Sequence, residues 1–176
     1  MDNQYYPFDI KSKRMMMKID INAFFKLGDA FFEIHEMEDG SIRMFWRKAV
    51  PERKYAEYAG AIARKYYEGK LMHLKKLILT DEYKKEMDVI SPINEVLLSD
   101  EELCPIIELC NKGIPDDYKR IGGRDGHSYD IWFEKSKRYS LWCWVHESLE
   151  PVANVINMLV DKAGLDRQRY GIRVQK

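Results

Sequence analysis

The sequence predicts a single α+β domain over residues 1–176, with a mainly antiparallel sheet built from amino-terminal and carboxy-terminal hairpins. Two observations predict this fold. In the first and last thirds of the chain, apolar and polar residues alternate with the period of two typical of half-buried strands. In the middle third, and again after Ser148, apolar residues recur every three or four positions. That spacing predicts a central helical segment and a carboxy-terminal helix.

The composition is that of an ordinary globular protein. The chain has 29 Lys plus Arg, 29 Asp plus Glu and 45% hydrophobic residues, which excludes a disordered or collagen-like protein. Its formal net charge of zero disfavours a nucleic-acid binder that acts through bulk electrostatics. No apolar stretch reaches the roughly 18–20 residues of a membrane-spanning helix, and the first residues lack the pattern of a secretion signal. We therefore expect a cytoplasmic protein that has no membrane partner.

The cysteine content also predicts a cytoplasmic protein. Cys104, Cys110 and Cys143 are odd in number and lack the C-x-x-C spacing of a zinc site, and the four histidines are scattered. We interpret all three cysteines as small buried apolar residues, and we expect no metal and no cofactor.

The amino-terminal third predicts three strands. The first alternates apolar and polar residues from Met15 to Ile21. The next two, at 31–37 and 42–48, flank Asp39-Gly40, a pair that favours the positive φ angles of a two-residue type I′ turn. Both faces of this hairpin carry large apolar groups, so we expect both to be covered. The predicted cross-strand pairs are Glu36–Arg43, Ile34–Phe45 and Met37–Ile42.

The middle third predicts helices. One begins at Pro51 and ends or bends at Gly69, and a second apolar stripe runs over 71–78. A third helix begins after Ser99, which forms a capping box with Glu102.

This third helix contains Pro105 beyond its first turn, which predicts a kink or a restart there. Gly113 and Pro115 follow in the order expected beyond a helix carboxyl end.

The last third predicts a second hairpin, with strands at His127–Phe133 and Tyr139–Val145 and with Phe133 opposite Tyr139. The carboxy-terminal helix is then capped by Ser148 and ends at Gly164. A closing strand is predicted within 170–174. The alternation places three tryptophans on one face of this hairpin, opposite its apolar face: Trp132, Trp142 and Trp144.

Charge is distributed unevenly along the chain. Residues 91–120 carry seven acidic and three basic groups, a local net charge of −4. Such a segment is typical either of the solvated face of an amphipathic helix or of a docking surface that attracts a protein partner. The tryptophans have two interpretations as well, since they suit either burial under a helix or exposure at a binding hot spot. If the acidic segment is a docking surface and the tryptophans form a hot spot, the binding residues are Asp100, Glu101, Glu102, Glu108, Trp132, Trp142 and Trp144.

One short segment suggests catalysis. The Gly-rich run that ends in Asp125-Gly126-His127 precedes the second hairpin, and the helix after the hairpin carries Asn154 and Asn157. This order is similar to that of ββα-metal nucleases, in which a strand His is the general base and helix residues hold a divalent metal. The resemblance implies a metal-dependent phosphodiesterase that uses Asp125, His127 and Asn154 or Asn157. The simpler interpretation is a glycine-rich turn before a strand that begins with His. Nucleophile elbows, phosphate loops and dinucleotide fingerprints are absent from the sequence.

The segment from Asp125 through the tryptophan-rich strand to Leu159 resembles a layout found in small uncharacterised bacterial proteins. In these, a D-G-x-x-Y-x-I strand and an aromatic strand precede a Leu/Val-rich helix, and some of them resemble immunity proteins of polymorphic toxin systems. The resemblance covers about fifty residues of the chain. It implies a non-enzymatic domain whose partner is another protein, such as a toxin, which it inhibits by surface complementarity. A homo-oligomeric structural subunit is a third hypothesis, beside this one and the nuclease.

Overall fold

A computed structural model of the chain describes residues 8–22, 29–48, 93–115, 118, 126–134 and 138–175. The helices predicted between Pro51 and residue 78 lie outside the described residues. The described elements are β1 (Arg14–Asn22), β2 (Ala30–Glu36), β3 (Ile42–Lys48), β4 (Asn94–Leu97), α1 (Asp100–Lys112), β5 (Ser128–Phe133), β6 (Tyr139–Trp142), β7 (Trp144–His146), a 3₁₀ turn (Glu147–Leu149), α2 (Glu150–Lys162), α3 (Arg167–Tyr170) and β8 (Arg173–Gln175).

The six strands β1 to β6 form one antiparallel sheet in the order β4-β3-β2-β1-β5-β6. β1 lies inside this sheet, where it pairs with β2 on one side and with β5 on the other. The hairpins from the two ends of the chain therefore share one sheet, as predicted. A second, two-stranded sheet joins β7 and β8 in parallel. The α+β fold predicted from the sequence is confirmed.

α1 and α2 pack on one face of the six-stranded sheet, which we call the core face. Ile106 of α1 and Ile156 of α2 are both buried in one cluster with Ile19 of β1 and Ile131 of β5. The burial of this apolar surface is the main favourable contribution to folding.

The opposite face of the sheet carries buried charged groups, and we call it the polar face. Two large aromatic side chains, Phe31 and Phe45, are also buried on it, at 2% and 5% exposure. Both faces of the amino-terminal hairpin are therefore covered, as expected. The buried polar residues that define this face are Asp20, Glu33, His35, Arg47 and Asp130.

The predicted register of the amino-terminal hairpin is wrong by one residue. Ile34 pairs with Met44, not with Phe45, and Glu36 pairs with Ile42, not with Arg43. The cause is a three-residue loop. The Met37 N–H donates to the Ser41 carbonyl at 2.8 Å, so the loop consists of residues 38–40 and ends on Gly40 at φ 80°. This change moves Phe45 to the polar face and Met44 to the core face.

The predicted register of the second hairpin is wrong by two residues, because Ile131 and not Phe133 lies opposite Tyr139. A shift of two keeps every side chain on its predicted face. The predicted strand 139–145 is divided at Cys143, whose carbonyl accepts a hydrogen bond from the Arg173 N–H at 2.8 Å. Beyond this point the chain pairs with β8, so Trp144 belongs to the small sheet.

The capping box of α1 is confirmed. Ser99 accepts from the Glu102 N–H, and the Glu102 carboxylate accepts from the Ser99 N–H at 2.7 Å. The helix is continuous through Pro105, so the predicted restart is wrong. Gly113 follows its end at φ 68°, as expected.

The predicted cap of the carboxy-terminal helix is wrong. The side chain of His146, not that of Ser148, accepts from the Ser148 N–H and begins the 3₁₀ turn. α2 then begins at Glu150 without a side-chain cap. It ends before Gly164, as predicted, and Gly164 adopts φ 66°.

Of the cysteines, Cys143 is buried and Cys110 half-buried, whereas Cys104 is exposed on α1, so the prediction of three buried cysteines is wrong for Cys104. The helices of the described residues are all too short or too polar to cross a membrane.

Candidate functional site

The described part of the acidic segment 91–120 includes β4 and α1. Asp100, Glu101 and Glu108 are exposed on α1. Glu108 forms an ion pair with Lys112, one turn further along the helix, and this contact lowers the pKa of its carboxyl.

Glu102 has a mainly structural position. It accepts two bonds from Lys162 of α2, at 2.7 and 2.9 Å, besides its bond from the Ser99 N–H. The Lys162 bonds and then the Ser99 N–H lower the pKa of the Glu102 carboxyl. This residue therefore joins the two helices, while the other three acidic side chains face solvent.

Open grooves border α1 on two sides. The first, of about 440 Å³, lies between α1 and the sheet and is lined by Ile107 together with the apolar residues Met16, Ile42 and Phe133. Ile107 is itself 39% exposed. The Arg14–Glu134 ion pair closes one side of this groove.

The second groove, of about 450 Å³, lies between α1 and α2. Pro105 and Leu109 line it from α1, and Leu149 and Val152 line it from the opposite side. Glu108 contributes to its rim. The exposed surface of α1 thus combines acidic groups with a partly apolar groove on each side.

The three predicted tryptophans do not form one patch. Trp132 is half-buried on the polar face, between the Lys18 ammonium at 5.0 Å and the Arg138 guanidinium at 5.6 Å from the ring centroid. Trp142 is half-buried on the same face and packs near Gly126. Trp144 is 40% exposed in the small sheet, with the Arg173 guanidinium 5.1 Å from its ring.

The sheet separates the tryptophans of β5 and β6 from the acidic helix. Phe133 points to the core face, towards the groove beside α1. Trp132, its neighbour in β5, therefore points to the polar face. The acidic residues of α1 and Trp132 cannot contact one flat partner surface together.

The candidate nuclease residues have structural contacts. The Nε2 atom of His127 lies 3.3 Å from the Gly171 carbonyl, and burial lowers the pKa of this imidazole. Asn157 donates to the Ile172 carbonyl at 3.0 Å and accepts from the Ile172 N–H at 2.8 Å. Both side chains thus fasten the chain segment that leads into β8.

The remaining nuclease candidates do not join this pair. Asn154 is exposed, on the side of α2 that borders the second groove. Asp125 lies outside the described residues. Among the described residues, His, Cys, Asp and Glu form no group of three that could hold a metal ion.

The polar face contains a cluster that the sequence analysis did not identify. Glu33 and His35 are two residues apart in β2, so both side chains project from the same face. The Nε2 atom of His35 lies 2.9 Å from a Glu33 carboxylate oxygen, and its Nδ1 atom lies 2.7 Å from the Ser12 hydroxyl. The spacing Glu-x-His within an apolar strand is the signal that could have identified this pair.

Asp130 organises the other end of the polar face. It faces Asp20 across the β1–β5 pair, and it accepts bonds from Asn22 at 3.0 Å and from Ser140 at 2.6 Å. Arg138 forms an ion pair with it. Burial by itself would raise the pKa of the Asp130 carboxyl, but the bonds from Arg138, Ser140 and Asn22 outweigh that effect and lower it.

Two of the three thiols, those of Cys110 and Cys143, are poor candidates for nucleophiles. Burial raises the pKa of Cys110 to about 11 and also raises the pKa of Cys143. The thiolate, which is the reactive form, is therefore disfavoured at both positions.

Comparisons with known proteins give no relative from which a function could be transferred: no family model, curated protein or solved structure matches this chain.

Proposed function

We propose that this protein is a protein-binding domain whose contact surface is α1 with its two flanking grooves. The observation that carries the proposal is the combination at one helix of exposed acidic groups, an exposed Ile107 and two open grooves with both apolar and polar lining residues. Protein interfaces likewise combine apolar contact area with polar, solvent-accessible groups at their edge.

The chemistry of the surface defines the partner. Asp100 and Glu101 give the exposed first turn of α1 a negative charge, whereas Glu108 is paired with Lys112. A complementary segment therefore carries Lys or Arg opposite this first turn. The grooves accept its apolar side chains. The partner is therefore a protein with a basic, partly apolar segment. In the sharper form of the proposal, that partner is a toxin of the same cell, and binding covers its functional surface.

Site-specific photocrosslinking tests the surface. A photoreactive amino acid replaces Ile107 in the groove and, as a control of matched exposure (39% and 40%), Trp144 in the small sheet. After irradiation in the native host, we expect an adduct with one protein from position 107 and no adduct with that protein from position 144. Mass spectrometry identifies the adduct, and the partner is then purified.

Neutralisation of charge tests the recognition chemistry. Glu101→Gln should weaken binding of the purified partner about 2- to 5-fold, by loss of one surface ion pair. Glu38→Gln removes an exposed charge in the β2–β3 loop and should leave the affinity unchanged. Added salt should weaken the unmodified complex.

Three results would overturn the proposal. They are the same adducts from positions 107 and 144, no adduct from position 107, and a crosslink only to a second copy of this chain. The last result would identify α1 as a self-association surface. For the toxin form of the proposal, co-expression of this chain must relieve the toxicity of the neighbouring gene's product. Substitutions that weaken binding between the two proteins must weaken that relief.

A further inference from the structure

A continuous hydrogen-bonded chain links a hydroxyl, an imidazole and a carboxylate on the polar face. The Ser12 Oγ atom lies 2.7 Å from His35 Nδ1, and His35 Nε2 lies 2.9 Å from a carboxylate oxygen of Glu33. These residue types in this order are those of the relay that activates a serine nucleophile. The ring is bound in the reverse sense to the chymotrypsin relay, since here the serine is on Nδ1 and the carboxylate on Nε2.

The two hydrogen bonds fit the tautomer that a serine nucleophile requires. In this tautomer the ring carries its proton on Nε2 and donates it to the Glu33 carboxylate. Nδ1 then carries the lone pair and accepts the Ser12 hydroxyl proton.

The fold buries the base and its carboxylate and leaves the serine half-buried. Glu33 and His35 are 8% and 5% exposed in an interior strand, and Phe45 packs edge-on against the imidazole with 5.6 Å between centroids. Ser12 is half-buried, just before β1. Its position is fixed because the next residue, Lys13, donates its N–H to the Glu36 carbonyl at 3.0 Å.

We propose that Ser12 is a nucleophile that is acylated by activated carboxylic esters, with His35 as general base and Glu33 as positioning residue. In the first step Oγ bonds to the ester carbonyl carbon while its proton passes to Nδ1. The carbon–oxygen bond to the leaving group then breaks, and the departing alcohol takes that proton. Water cleaves the acyl-serine by the same proton route, which releases the carboxylic acid and restores the hydroxyl.

The chain provides its own control for a test. Ser148 and His146 form a second serine–imidazole contact, with Oγ 3.1 Å from Nδ1, but this pair is on the surface and no hydrogen bond of its ring to a carboxylate occurs within the described residues. A fluorophosphonate probe, which transfers its phosphonyl group to serine and releases fluoride, should react at Ser12 and not at Ser148. Peptide mapping of the labelled wild-type protein measures both sites in one sample.

Substitutions distinguish a Ser12 hydroxyl that His35 activates from one that the probe merely reaches. His35→Gln should slow the labelling of Ser12 about 100-fold or more, as expected for loss of a general base. Glu33→Gln should slow it too, and should move the midpoint of its pH profile to lower pH, because the charge that stabilises the imidazolium is gone. A residue with only a structural role would not move that midpoint. His146→Gln should change nothing at Ser12.

The wild-type labelling does not depend on any variant folding. No label at Ser12, equal label at Ser12 and Ser148, or a rate that His35→Gln leaves unchanged would each overturn the proposal. Hydrolysis of p-nitrophenyl acetate gives a second measurement: we expect turnover that Ser12→Ala abolishes. Circular dichroism of each variant confirms that the fold is kept.

Discussion

At the scale of single residues, buried polar side chains hold specific backbone groups. Asn157 bonds both the N–H and the carbonyl of Ile172, and it is 5% exposed. Asn157→Ala leaves both backbone groups without these partners. We expect a loss of about 2 kcal/mol or more in the free energy of unfolding, measured by urea denaturation.

The control for this prediction lies one turn away on the same helix. Asn154 is exposed, so Asn154→Ala should change the free energy of unfolding by no more than about 0.5 kcal/mol. Equal effects of the two substitutions would contradict the structural role of Asn157.

Asp130 gives a prediction for pH. Its folded pKa lies below the ordinary value of 3.8, so it stabilises the fold at neutral pH. That stabilisation is lost as the pH falls through the folded pKa. Asp130→Asn should therefore be less stable than the wild type at pH 7, and the difference should shrink as the pH falls below about 4.

Thermal denaturation over pH 7 to 2 measures this difference. A difference that stays constant over the whole range would mean that the carboxylate charge of Asp130 does not contribute.

At the scale of elements, caps and loops decide where helices start and which residues pair. The capping box of α1 was evident from Ser99 and Glu102 alone, because a cap is a local contact three residues apart. Ser99→Ala should lower the stability by about 1 kcal/mol, whereas Ser99→Asn, which keeps an acceptor, should lower it less. Thermal melting of the two variants tests this order, and the reverse order would contradict it.

The first hairpin shows where local information ends. Asp39-Gly40 located the turn correctly, but a glycine with positive φ fits either a two-residue loop or the last position of a three-residue loop. Only the packing of Met44 on the core face and of Phe45 on the polar face decides between them. The Ser12–His35–Glu33 cluster depends on this register, because the register places Phe45 against His35.

At the scale of the whole molecule, β1 is the strand that joins both ends of the chain. Ile19 is 1% exposed and lies opposite Phe32 of β2 and Ile131 of β5. Ile19→Ala should cost about 2–5 kcal/mol, and both hairpins should unfold together. Tryptophan fluorescence and far-ultraviolet circular dichroism should then give the same urea midpoint.

Val174 provides the matched control, because it is half-buried at the small parallel sheet. Val174→Ala should cost clearly less than Ile19→Ala. Separate transitions for the two probes would contradict a single cooperative unit.

The sequence by itself determined the α+β class, the strands of the first hairpin, the cap of α1 and the faces of β5 and β6. These features follow from residue periodicity and from contacts between near neighbours, which a linear pattern contains. Only the tertiary structure decided the hairpin registers, the separation of Trp132 from the acidic helix, and the meeting of Ser12 with Glu33 and His35. Ser12 and His35 are 23 residues apart, and the pairing of β1 with β2 brings them together. Long-range pairing depends on which apolar surfaces bury each other, and this depends on the packing of the complete sheet.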